Sequence, residues 1–86
     1  MDISWEKQTE EKFNLMIEKI PAVMQELAKD MALKKARELV ENEGRSEMTE
    51  KDMVIAFFEA TPFGFHGPMK SDMESIGINY SQYGKS

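Results

Sequence analysis

The chain has 86 residues, a net charge of −5, 41% apolar and 31% charged residues, and no Cys. That length fits one small domain with a thin core, and the missing Cys excludes disulfides, cysteine zinc sites, iron–sulfur ligation and thiol catalysis. The charge is spread along the chain, with ten acids against seven bases in residues 1–43 and six against four in residues 44–86, so no basic face favours nucleic acid or an anionic membrane.

Ser4 is placed to cap a first helix beginning at Trp5. Trp5, Thr9, Phe13, Met16, Ile17 and Ile20 recur at spacings of three and four, which predicts one buried stripe. Pro21 belongs at the first position of a new helix and marks a sharp corner after Ile20. From there to Glu43 the chain has no Gly and no further Pro, which predicts the longest helix.

Met24, Leu27, Ala28, Met31, Ala32, Ala36, Leu39 and Val40 form a wide apolar arc on that helix, expected to be covered on more than one side. Leu27 and Met31 are therefore expected in the core. Glu26, Asp30, Lys34, Arg37 and Glu41 read as the solvated face.

Gly44 suits a left-handed helix end. Thr49-Glu50-Lys51-Asp52 is a capping box opening a third helix, whose apolar face is Met53, Val54, Phe57 and Phe58. Pro62 ends this helix near Ala60. Residues 63–68 read as a loop carrying two large aromatics, Phe63 and Phe65. Pro68 then starts a short fourth helix with Met69, Asp72, Met73 and Ile76 in register and Gly77 at its end. Residues 78–83 alternate as a short extended tail, and Gly84-Lys85-Ser86 reads as a frayed end.

The fold expectation is all-α: a short helix, a long central helix and a capped third helix over residues 5–60, with aromatic loop, short helix and tail over 61–86. No stretch is apolar enough to span a membrane, and with no Cys the expected location is cytoplasmic.

Few residues suggest chemistry. His66 is the single histidine, which leaves a metal centre or a His-based triad short of ingredients. The paired acids lie on regular helix rather than in a converging loop, and Gly64 and Gly67 match no phosphate-binding fingerprint. No catalytic residue, metal ligand or cofactor is assigned. Of the eight Met, helical spacing puts Met16, Met24, Met31 and Met53 in the core and leaves Met69 and Met73 nearer the surface. Phe63, Phe65, His66, Met69, Met73 and Tyr80 combine apolar anchors with polar tips and form the candidate recognition set, against the plainer reading that the segment wraps the core. A thin core rich in aromatic and Met side chains also predicts a homodimer.

Trp5 before an amphipathic helix, Ile20-Pro21 opening the next, Ala36-Arg37-Glu38 late in it, Gly44, and Met48-Thr49-Glu50-Lys51-Asp52-Met53 starting the third resemble the small C-terminal domain of the light-independent protochlorophyllide reductase B subunit, which also has free-standing relatives. The resemblance covers residues 5–60. The basic residue that this family usually carries shortly after the proline has no counterpart in Ala22-Val23-Met24-Gln25.

The resemblance implies an accessory or protein-interaction module beside a larger redox-enzyme partner, with the reductive chemistry on iron–sulfur clusters of other polypeptides and none on this chain alone. The helix order is also similar to a histone fold, which gives the alternative of a histone-like or regulatory module acting on nucleic acid. The acidic charge opposes that alternative.

Overall fold

The longest stretch without Gly or Pro becomes the longest helix. A computed structural model describes residues 3–84, so Lys85 and Ser86 of the expected frayed end lie outside the described residues. The architecture is all-α with one minimal strand pair. Strand β1 (Ser4–Trp5) is followed by helices α1 (Thr9–Glu18) and α2 (Ala22–Asn42), strand β2 (Glu47–Met48), helix α3 (Glu50–Ala60), a 3-10 turn (Phe63–Phe65), helix α4 (His66–Ile76) and a second 3-10 turn (Tyr80–Tyr83).

The first helix starts four residues later than the sequence suggests. Instead of capping it, Ser4 pairs in parallel with Glu47, and Trp5 with Met48. The Ser4 amide donates to Ser46 O at 3.0 Å and the Glu6 amide to Met48 O at 2.9 Å. These long-range bonds satisfy donors that a helix start would have left open, so tertiary pairing wins over the local cap. Gln8 then enters α1 with φ of 75°, in the left-handed region.

Pro21 also sits one position outside its expected place. Its ψ of 138° is extended, making it the N-cap of α2 rather than the first helical residue. The Gln25 side chain donates back to Ile20 O at 2.8 Å and pins the corner. At the other end Gly44, with φ of 67°, takes the left-handed turn that lets the Arg45 amide reach Val40 O at 3.0 Å.

The α3 capping box is present: Thr49 Oγ1 accepts from the Asp52 amide, and Asp52 Oδ2 accepts from the Thr49 amide at 2.8 Å. The expected loop over residues 63–68 is instead a 3-10 turn running directly into α4, which starts at His66 rather than Pro68. The tail is likewise a 3-10 turn, not an extended segment.

The main core joins Phe13, Met16 and Ile17 of α1, Ala32 of α2, Met53, Val54, Phe57 and Phe58 of α3, Met69 and Met73 of α4, and Ile78. A smaller cluster of Ala36, Val40, Met48 and Ala56 lies beside it, and Trp5 packs against both. Tilted ring contacts tie α1 to its neighbours, with Phe13 5.3 Å from Trp5 and 5.5 Å from Phe57.

The buried residues of α2 are only Ala32, Ala36 and Val40. Small side chains at steps of four let α3 approach closely, and they also make the buried stripe narrow. The wide arc is therefore not enclosed: Met24, Leu27 and Met31 are exposed, contrary to their expected place in the core.

Candidate interaction surface

Two rows of apolar residues run along α2, and the fold uses only one. The row through Ala28, Ala32, Ala36 and Val40 faces the protein. One residue away lie Val23, Leu27 and Met31, with exposures of 91%, 62% and 45%, flanked by Met24 at 53%. Their spacing puts Val23, Leu27 and Met31 on a single ridge of the helix. With 21 residues α2 is about 31 Å long, roughly twice the length of the ten-residue α1 or the eleven-residue α3. Glu26, Asp30 and Lys34 border the ridge with both signs of charge.

Residues 62–83 divide differently from the expected recognition set. Phe63 and Phe65 are exposed, at 87% and 64%. Met69 and Met73 are not at the surface: both are buried in the main core, Met73 completely. The reason is that α4 begins immediately after the turn and folds its Met face onto α1, so these residues pack as an ordinary amphipathic stripe.

His66 closes the end of α3. Its Nε2 lies 2.8 Å from Thr61 O and 3.1 Å from Phe58 O. Carbonyls only accept, so Nε2 carries the proton and donates to both, tying the start of α4 to the last turn of α3. The imidazole stands edge-on to Phe58 at 5.1 Å and tilted to Phe63 at 5.5 Å. Tyr80 is half-buried against Phe58 at 6.0 Å and donates its hydroxyl to Glu74 at 2.7 Å, a bond that raises the phenol above its ordinary pKa.

Two charged clusters fasten elements together. Arg45 holds Asp52 with two nitrogens and reaches Glu43 with Nε at 2.6 Å. Its bond to Asp52, then that to Glu43, raises the guanidinium above its usual range. Burial pushes Asp52 up, yet the bonds from Arg45 and Thr49 outweigh it and hold the carboxyl below its ordinary value.

Glu50 accepts from Lys12 of α1 and from the Tyr83 hydroxyl, joining three parts of the chain. Burial again works upward on Glu50, and the two donors carry it below the usual carboxylate value. The Tyr83 phenol is pushed well above its ordinary value by burial and by Glu50. Both clusters are structural fastenings.

A shallow groove of about 410 Å³ along α2 is lined by Asp30, Leu33, Lys34, Arg37, Glu38 and Glu41, whose mixed charges give no clear preference for anion or cation. Among the described residues no three His, Cys, Asp or Glu side chains converge as a metal site, and no helix is long and apolar enough to cross a membrane. Comparison with protein-family models, with curated proteins and with solved structures returned no match.

The surface that sequence reasoning missed is therefore the Val23, Leu27 and Met31 ridge. Its signal was available: two apolar rows offset by one residue, where a single neighbouring helix covers only one.

Proposed function

We propose that this chain is a small cytoplasmic accessory domain that acts by docking an apolar helix face onto another polypeptide, in the manner implied by its resemblance to the C-terminal module of the protochlorophyllide reductase B subunit, and that it performs no catalysis alone. The observation carrying this reading is the ridge of Val23, Leu27 and Met31, left in water by a protein whose buried stripe on the same helix is complete. The sole histidine, engaged in closing α3, supports a structural rather than a catalytic role for His66. Phe63 and Phe65 supply a second apolar element on the turn before α4.

The test is retrieval of partners with the tagged chain, followed by purification of each and titration against wild type and Leu27→Glu. Leu27→Glu is expected to weaken docking at least tenfold with unchanged helicity. Equal affinity of the two proteins for every purified partner, together with an unchanged self-association state, overturns the reading.

A further inference from the structure

We infer that the polypeptide covering the α2 ridge is a second copy of this chain, packed antiparallel about a two-fold axis at Leu27; this rests on the reading of that face as a docking surface. Val23, Leu27 and Met31 stand at equal steps either side of Leu27. A two-fold axis there brings Val23 against Met31 of the partner subunit and Leu27 against the partner's Leu27. An isologous contact requires such a self-complementary patch. Identical ridges of this kind interdigitate at a crossing angle of about −50°.

The relief of the helix suits that packing. Met24, Leu27, Ala28 and Met31 stand at the i, i+3, i+4 and i+7 corners of a diamond, and the half-buried Ala28, turned toward the core, is its lowest corner, so the four form the kind of hollow that takes one side chain from a facing helix. By symmetry each copy offers its Leu27 to the hollow of the other. Met24 and Met31 at the margins are unbranched and adapt to the fit.

The area is also of the right size. The four exposed side chains present roughly 400 Å² of apolar surface, comparable to the largest patch an ordinary monomer exposes. Interfaces are about 57–65% apolar, so this is the apolar share of roughly 650 Å² per copy, or about 1,300 Å² in total, inside the range of stable complexes. No charged residue stands on the Val23, Leu27 and Met31 ridge itself, so the charges of two copies of net charge −5, Glu26 and Asp30 among them, fall on the rim of the contact. Salt screens their mutual repulsion and should leave the association equal or tighter.

The absence of Cys makes the geometry directly testable in the full chain. Sedimentation at tens of micromolar should give twice the 9.9 kDa chain mass, and Leu27→Glu, with Val23→Lys as an independent second variant, should give the single-chain mass at unchanged helicity. Under mild oxidation Leu27→Cys should form a covalent dimer, whereas Asn14→Cys, exposed on α1, should not.

A wild-type monomer at high micromolar concentration, a dimer surviving both charge variants, or equal cross-linking at positions 14 and 27 overturns the inference. If the wild type is monomeric while Leu27→Glu still loses a purified partner, only the second copy is refuted and the docking face stands. If neither self-association nor docking responds, both fall.

Discussion

Arg45 grips Asp52 with two prongs, Nη2 lying 2.6 Å from Oδ1 and Nη1 3.0 Å from Oδ2, while the same carboxylate caps α3 through the amide of Thr49. Asp52 thus fixes the α2–β2 connection to the start of α3 in one step. Replacing it with Ala removes the cap and leaves the guanidinium with only Glu43 and the Glu47 carbonyl. Because Arg45 is one-third exposed and can turn to water, the loss should fall below that of a fully buried pair, at about 2–3 kcal/mol. A urea titration should show a lower midpoint with an unchanged slope, and Thr49→Ala should cost about 1 kcal/mol.

Acid should loosen the same fastenings. Asp52 and Glu50 both have folded-state pKa values below their ordinary 3.8 and 4.5. The unfolded chain therefore binds more protons in that window, and the stability they contribute is complete above about pH 5 and lost as pH falls through the folded values. Thermal midpoints from pH 7 to pH 2 should stay level and then drop below about pH 4.5. In Asp52→Ala the drop should be smaller, because one of the two linked protons is gone.

The core is where the structure revises expectation most. Met73→Ala and Met53→Ala empty fully enclosed sites and should each cost about 2–5 kcal/mol. Leu27→Ala in dilute solution should cost under about 1 kcal/mol, since Leu27 is already in water. Pro21→Ala should likewise be mild, as Pro21 lies just outside α2. Denaturant series at low micromolar concentration separate these values from any effect of self-association.

The legible parts of this fold are those written in short-range chain chemistry. Pro21, Gly44, the Thr49 and Asp52 box and Gly77 each punctuate a helix through the backbone of a few neighbours, and all four act close to where the sequence placed them. Ser4–Trp5 was not legible because a two-residue strand has no period and exists only through Ser46 and Met48, more than forty residues away. Periodicity showed that Leu27 and Met31 lie on an apolar face, but carries no information on whether a neighbour is long enough to cover it. Met69 and Met73 were misplaced for the converse reason: their spacing was helical, and only the turn closed by His66 brings that helix back onto the core.

His66 and Phe65 are adjacent in sequence and should separate completely in experiment. His66→Ala removes the donor shared by Phe58 O and Thr61 O and the edge contact with Phe58 at the base of α4. One lost half-buried donor is worth about 0.5–1.5 kcal/mol, and the thermal midpoint should fall by several degrees in a chain this short. Phe65 is 64% exposed, so Phe65→Ala should stay within about 0.5 kcal/mol of wild type. If Phe65→Ala proves as destabilising as His66→Ala, the ring is part of the packed structure and residues 63–65 offer no free surface. If Phe65→Ala keeps full stability but weakens docking to a purified partner, the turn before α4 belongs to the interaction surface.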